Sequence, residues 1–314
     1  MLSRTADHLY WMARHTERAE NLARMLDVTS RMSLLQGGLT GDDAGWASAL
    51  AVAGLEGAYR EKHGEVTAAG VMTFLCFDTD NPSSIVGCLK SARENAHAVR
   101  GTLTSELWET INDTWLKLRE TSPAVLDGSG AGEFFDWVKF RSHLSRGVTI
   151  GTMLQDEALW FARLGTYLER ADSTARILDV QARRLLTGVS DVGGAGDYYQ
   201  WSALLRSVSA FEVYRRVYRD RITPLRVAEL FILRDDMPRS LHKCLNEVTE
   251  LLEMVANRHS GETSRRAGIL HAALHFGRIE DIFAKGLHEF LADFVGRIYD
   301  LSDRVANDFL IPKH

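Results

Sequence analysis

A block of sequence near residue 17 returns near residue 169, and three further blocks follow it in the same order. The first copy reads Glu17-Arg18-Ala19-Glu20-x-x-Ala23-Arg24-x-Leu26-Asp27-Val28, and the second Glu169-Arg170-Ala171-Asp172-x-x-Ala175-Arg176-x-Leu178-Asp179-Val180. A Gly-rich stretch comes next in each, at Gly37-Gly38-Leu39-Thr40-Gly41 and at Gly193-Gly194-Ala195-Gly196. Trp46 with Tyr59-Arg60 then matches Trp201 with Tyr214-Arg215, and Pro82-x-Ser84 with Cys88-Leu89 matches Pro238-x-Ser240 with Cys244-Leu245. The displacement hardly drifts: 169 − 17 = 152, 201 − 46 = 155, 238 − 82 = 156. Four blocks in one order at nearly one spacing predict a tandem duplication, with a period far above the roughly 20–50 residues of a solenoid repeat. The expected architecture is two homologous halves, 1–150 and 151–314, packed as one compact unit about a pseudo-twofold axis, with the Glu17 and Glu169 helices close to that axis.

The chain reads as all-α. It has only five prolines in 314 residues, and none falls inside a long amphipathic run. Apolar residues recur at i, i+3, i+4 and i+7 far more often than in alternation. Five or six helices per half are expected, about 10–12 in all, with breaks at 36–45, 121–132, 187–197 and 258–263, where Gly, Ser and Asp gather. Asn81 before Pro82 reads as an N-cap followed by proline at the first helical position. The Gly-rich stretches at 37–41 and 193–196 lack lysine and follow no clear strand, so they read as linkers and not as phosphate cradles. No cofactor is expected, and any ATP chemistry belongs to a partner.

Composition narrows the partners. A net charge of −5 and a pI near 6.1 give no support to broad nucleic-acid binding. No apolar run approaches the ~20 residues a bilayer span needs, and the early charges Arg4, Asp7, Arg14, Glu17 and Arg18 exclude a signal-peptide core. A cytoplasmic protein without membrane attachment is expected. Three cysteines, Cys76, Cys88 and Cys244, make an odd number with no Cys-x-x-Cys pair, which argues against a disulfide framework. Cys88 and Cys244 are expected to pack as small buried hydrophobes. Oligomeric state stays open.

The repeated segment, projected at about 100° per residue, gathers Trp11, His15, Leu22, Met25 and Leu26 on one face. Arg18 falls inside that apolar arc, and Arg170 does the same among Tyr167, Thr174, Ile177 and Leu178. Glu17, Glu20 and Arg24 line the adjoining edge, as Glu169, Asp172 and Arg176 do in the second copy. A guanidinium facing a core must be paired, since an unpaired buried charge is very costly. Two readings stand. In one, carboxylates of the opposite half hold each arginine in a structural ion-pair lattice. In the other, the Glu-Arg pairs line a cleft for an anion, for which arginine's planar fork suits carboxylate or phosphate. His271 and His275 stand four apart, a zinc-binding spacing. The stretch lacks a hydrolytic Glu and a convincing third ligand, so core or partly exposed histidines are expected and no metal.

Further motifs complete a resemblance. The Asn81-Pro82-Ser83-Ser84 block, Arg93-Glu94-Asn95-Ala96-x-x-Val99-Arg100, Trp108-Glu109-x-Ile111-Asn112 and the run Leu164-Gly165-x-x-x-Glu169-Arg170-Ala171-Asp172 join the first Glu-Arg pair. Together, over essentially the whole chain, they resemble the alpha-E family of bacterial helical proteins, named for its Glu-Arg motif. The resemblance implies a setting and no activity. Such proteins are typically encoded beside, or fused to, circularly permuted ATP-grasp ligases, with transglutaminase-like peptidases and proteasome-like hydrolases nearby. It therefore implies a role in forming or processing amide bonds on peptides or small metabolites. One position departs: where the family often has arginine three residues before the second Glu, this chain has Thr166, whereas Arg14 fills that place in the first half.

The expected function is a non-catalytic helical partner or substrate-presenting subunit of an ATP-grasp ligase system, binding a peptide or small carboxylate. The candidate anion- or partner-binding residues are Arg14, Arg18, Glu20, Arg24, Arg93, Glu94, Asn95, Arg100 and Asn112, with Arg170, Asp172 and Arg176 in the second half. The alternative is an enzyme of amide-bond metabolism using Glu17 or Glu169 as acid–base. Carboxylates serve there only when their pKa is raised towards working pH, and flanking arginines act the other way.

Overall fold

The computed structural model describes residues 1–35, 43–127, 130–187 and 195–310. Among these it is all-α: fifteen α-helices and one 3-10 turn. Its backbone divides into two compact units, Met1–Thr166 and Tyr167–His314.

The first unit runs α1 (Ser3–Leu35), α2 (Asp43–Ala53), α3 (Glu56–His63), α4 (Ala68–Cys76), α5 (Ile85–Ala98), α6 (Ser105–Glu120), the 3-10 turn Pro123–Leu126 and α7 (Gly130–Thr152). Helix α8 (Glu157–Thr187) starts in this unit and continues into the second. There follow α9 (Ala195–Ser207), α10 (Phe211–Tyr218), α11 (Pro224–Ile232), α12 (Leu241–Met254), α13 (Gly261–His275), α14 (Ile279–Lys285) and α15 (Leu287–Phe309). The order of lengths is similar in both. Long α1 and α8 (33 and 31 residues) precede α2 and α9 (11 and 13), α3 and α10 (8 each), α4 and α11 (9 each) and α5 and α12 (14 each). α6 and α13 (16 and 15) follow, and α7 and α15 have 23 residues each.

The helix count exceeds the expected 10–12 because short helices stop at single residues outside the expected Gly-, Ser- and Asp-rich breaks. Gly64 ends α3 with φ of 75°, and Arg219, a non-glycine, ends α10 in the left-handed region at 52°. Each makes a helix end where an L-residue continuing the helix would need negative φ. The expected start at Asn81 is also displaced. The N-cap of α5 is Ser84, whose hydroxyl accepts from Gly87 N–H at 3.0 Å and donates to the Asp78 carbonyl at 2.7 Å. Asn81 instead braces the preceding turn, accepting from Ser83 N–H and donating to the Phe74 carbonyl. Ser240 caps α12 in the same way, accepting from Lys243 N–H at 2.9 Å and donating to the Arg234 carbonyl. Of the two Gly-rich stretches read as linkers, 37–41 and 193–194 lie outside the described residues. Ala195 and Gly196 open α9.

In the first unit α1 lies along α5 and α7, and α6 closes against the same two helices. α2, α3 and α4 add the aromatic end of the core, where Trp46, Tyr59, Phe74 and Leu75 pack with Leu22, Leu26, Ile85 and Phe135. The Tyr59 hydroxyl donates to the Glu65 carbonyl, and in the second unit Tyr214 donates to the Arg221 carbonyl. Each pins the loop that leads into the next helix, so a buried aromatic retains a polar partner. The three cysteines are fully buried, and burial pushes the Cys76 thiol well above its ordinary value. They are packing residues.

Gly165, early in α8, faces the Tyr10 carbonyl of α1 so closely that a Cβ there would come within 2.3 Å of its oxygen. Glycine at this position is what permits the two helix backbones to approach.

Candidate functional site

Helices α1 and α7 face one another through charged side chains. On α1 the residues are Glu17, Glu20, Arg24, Asp27 and Arg31. On α7 they are Lys139, Ser142, His143 and Arg146, spaced i, i+3, i+4 and i+7 and hence on one face. Glu20 is fully buried at 0% exposure and Glu17 at 1%. One oxygen of Glu20 accepts from Arg24 Nε at 2.8 Å; the other accepts from Ser142 Oγ at 2.7 Å and from Arg146. The Arg146 guanidinium also lies 3.5 Å from Glu17. The other arm of Arg24 donates to His143 Nε2 at 2.9 Å, and that nitrogen stands 3.3 Å from Glu20. A turn further along, Asp27 takes Lys139 at 2.7 Å and Arg31 at 2.6 Å.

Chemically this is a layered arrangement. The carboxylates lie at the bottom, Glu20 and Asp27 each holding more than one donor, as buried charges must. Donors rise to the rim: the Arg146 guanidinium keeps 30% of its side chain exposed, and the His143 ring and the Arg31 guanidinium more than half. Such a rim can meet an anion from solvent. Glu17, Glu20 and Asp27 are too buried to take a proton from a substrate, and the exposed carboxylate of Asp136 on α7 is paired with Lys139 at 2.7 Å. The sequence reading placed Glu17, Glu20 and Arg24 but missed the α7 residues. Their polar i, i+3, i+4, i+7 spacing was the available signal, and it reads by default as a solvated face.

The other candidates fall elsewhere. Arg14, expected at the binding surface, is buried at 6%, with its guanidinium over the Tyr10 and Trp11 rings and an N–H on the Tyr10 hydroxyl at 3.0 Å. Reversing its charge would disrupt that packing. Arg18, expected buried, is half-buried; an arginine stem can follow apolar surface while its head reaches outward. Arg93 donates to Asn112 at 3.2 Å, and Arg93 and Arg100 both cover the Trp108 ring, forming a second cluster on α5, the turn after it and α6. Asn95 accepts from His8 of α1 at 2.8 Å, and Glu94 is exposed. His8 stands twelve residues before Glu20, about 18 Å along α1, so the Asn95 contact is well separated along that helix from the Glu20 site.

In the second unit Glu169 and Arg170 are buried, with Arg170 over the Tyr167 ring and near the Pro238 carbonyl. Asp172 pairs with Arg176 at 3.0 Å, and Arg176 covers the Tyr299 ring. Asp179 accepts from His288. Thr166, the last residue of the first unit, donates to the Ala162 carbonyl.

The two histidines of α13 meet a third that the sequence reading did not associate with them. His242 of α12 lies against both, its ring centroid 5.5 Å from that of His271 and 5.3 Å from that of His275. Burial, then the neighbouring His242 and His275 rings, hold His271 below the ordinary histidine value.

Comparison with known proteins gives the lineage. A family model, Alpha-E, described as "a predicted alpha-helical domain with a conserved ER motif", matches residues 1–310. The chain belongs to the Alpha-E family. Three uncharacterized mycobacterial proteins, one from Mycobacterium bovis and two from strains of Mycobacterium tuberculosis, are each 25% identical to it over 324 aligned positions, covering 94% of this chain. The match takes in 35% of each relative, so this Alpha-E chain spans about a third of their length. No solved structure matches it. The Glu-Arg pairs of this Alpha-E protein are Glu17-Arg18 and Glu169-Arg170, and in both the glutamate is almost wholly buried. No helix among the described residues is long and apolar enough to cross a membrane.

Proposed function

We propose that this Alpha-E protein is a non-catalytic helical partner of an ATP-grasp-type amide ligase, and that it holds a peptide or small carboxylate at the cationic rim over Glu17 and Glu20. The observation that carries the proposal is the Glu20 site itself. Its carboxylate already accepts from Arg24, Ser142 and Arg146, while Arg146 and His143 remain partly exposed. The Arg146 guanidinium matches a carboxylate by charge and by paired donors, and the His143 ring, whose Nε2 accepts from Arg24, keeps its Nδ1–H as a neutral donor beside it. The enzyme alternative needs an accessible carboxylate, and Glu17 and Glu169 are both nearly inaccessible. The greater length of the mycobacterial relatives also favours a domain that works with further sequence.

The chain is further proposed to descend from a tandem duplication. The matching order of helix lengths, the paired Ser84 and Ser240 caps and the paired Tyr59 and Tyr214 loop anchors support that origin. After duplication the halves diverged in charge, and the exposed arginine of the α1–α7 site belongs to the first.

The test is calorimetry of the purified chain with an ATP-grasp ligase encoded beside it and, separately, with an acidic dipeptide. Both should bind, Arg146→Gln should weaken the dipeptide, and the chain alone should not hydrolyse ATP. Turnover of ATP by the isolated chain, or no binding of either probe, would sink the proposal.

A further inference from the structure

The α12–α13 face carries a chemistry that the α1–α7 site does not use. One ring nitrogen from each of His242, His271 and His275 lies within 4.8 Å of its counterparts on the other two. His242 is 5% exposed. Its Nδ1–H donates to the Leu233 carbonyl at 2.8 Å, just past the end of α11. That bond fixes the tautomer and leaves Nε2 with a lone pair. Nε2 is buried and has no hydrogen-bond partner, which is uncommon for a buried polar atom and calls for a physical reason. His271 is engaged through one ring nitrogen as well, its Nε2–H donating to Asn246 Oδ1 and its Nδ1 keeping a lone pair. Backbone carbonyl and side-chain amide partners of this kind orient metal-binding imidazoles from behind.

We infer that His242, His271 and His275 form a binding site for a late first-row divalent metal, zinc in the first instance. Three neutral imidazoles are a donor set that suits zinc, copper or nickel and does not suit calcium or magnesium. Zinc holds tetrahedral nitrogen ligands at about 2.0–2.1 Å, which places them roughly 3.4 Å apart. Closing the triangle from its present spacing takes about 1 Å of movement, within reach of side-chain torsions. His275 supplies most of it, because it is exposed in the last turn of α13. Three protein ligands with one exposed corner leave the fourth position open to water or to an outside ligand, which distinguishes the site from a closed four-ligand structural one. The Phe276 ring, edge-on to His275 at 4.6 Å, stands beside that corner.

The experiment uses the full chain, tag-free and stripped with a chelator. Zinc is titrated by calorimetry, and cobalt is followed by its visible absorption, which reports tetrahedral nitrogen coordination. The wild type should bind one equivalent. His275→Ala, at an exposed position that leaves the core intact, and His242→Ala should each weaken binding by at least about tenfold, and Asn246→Ala by about 10–100-fold. His259→Ala, at an exposed histidine outside the cluster, should bind as the wild type does. If zinc at tens of micromolar fails to bind, if His275→Ala binds as tightly as the wild type, or if His259→Ala loses as much as His275→Ala, the site is refuted.

Discussion

Replacing Glu20 with leucine removes the acceptor at the centre of the α1–α7 contact. Glu20 is fully buried, and the side chain of Arg24, its i+4 partner, is only 9% exposed. Without the carboxylate, Arg24 Nε loses its charged partner in a site with little water, and Ser142 Oγ loses its acceptor. Arg146 suffers less, since its partly exposed side chain can turn to solvent or to Glu17. Removing one member of a buried pair costs on the order of 3–5 kcal/mol, and Ser142 belongs to the same network, so the estimate is not raised further. Adding Arg24→Leu should restore much of that loss, because a buried pair replaced by apolar residues of similar volume is often close to neutral. The double-mutant cycle should therefore show a coupling of up to about 3 kcal/mol. Urea denaturation gives the stabilities, and hydrogen exchange of the α1 and α7 amides shows whether the loss is local. If Glu20→Leu costs less than about 1 kcal/mol, or if the double variant is no more stable than the single, Glu20 does not hold this interface as described.

Three further outcomes follow from the packing. Gly165→Ala should lower stability by about 1–3 kcal/mol as an overpacked helix crossing, because its Cβ meets the Tyr10 carbonyl; a thermal melt unchanged from the wild type would contradict that. Ser84→Ala and Ser240→Ala should each cost about 1–2 kcal/mol, read by denaturant midpoint, whereas Asn81→Ala should leave the α5 N-terminus in place in amide exchange. Cys76, Cys88 and Cys244, all fully buried, should resist a thiol reagent in the native protein and react together on unfolding, and rapid labelling of any one in the native state would overturn the packing role assigned to it.

The long helices were legible because sequence sets them directly. α1 runs 33 residues without glycine or proline, and α8 runs 31 with only Gly165, so apolar periodicity was uninterrupted. The short helices were not, since Arg219 takes a left-handed conformation that its side chain does not announce. The start of α5 was displaced because Asn81 and Ser84 both suit an N-cap by type, and the choice between them rests on which one reaches Gly87 N–H. Glu17, Glu20 and Arg24 were found through the repeat. Ser142, His143 and Arg146 were not, because only the packing of α7 on α1 turns a polar stripe inward. His242 escaped for the same reason: it lies on a different helix from His271 and His275, and contact between α12 and α13 brings the three together.

The central claim is that the rim formed by the Arg146 guanidinium and the His143 ring recognises a carboxylate and performs no chemistry of its own. Calorimetric titration of an acidic dipeptide into the wild type and into Arg146→Gln tests it most directly, with the same dipeptide blocked as its amide and ester for comparison. The account predicts saturable binding of the free acid, at least about tenfold weaker binding, some 1.4 kcal/mol, in Arg146→Gln, and little binding of the blocked form. Equal binding of the free and blocked dipeptides, or equal binding by the wild type and Arg146→Gln, would contradict it.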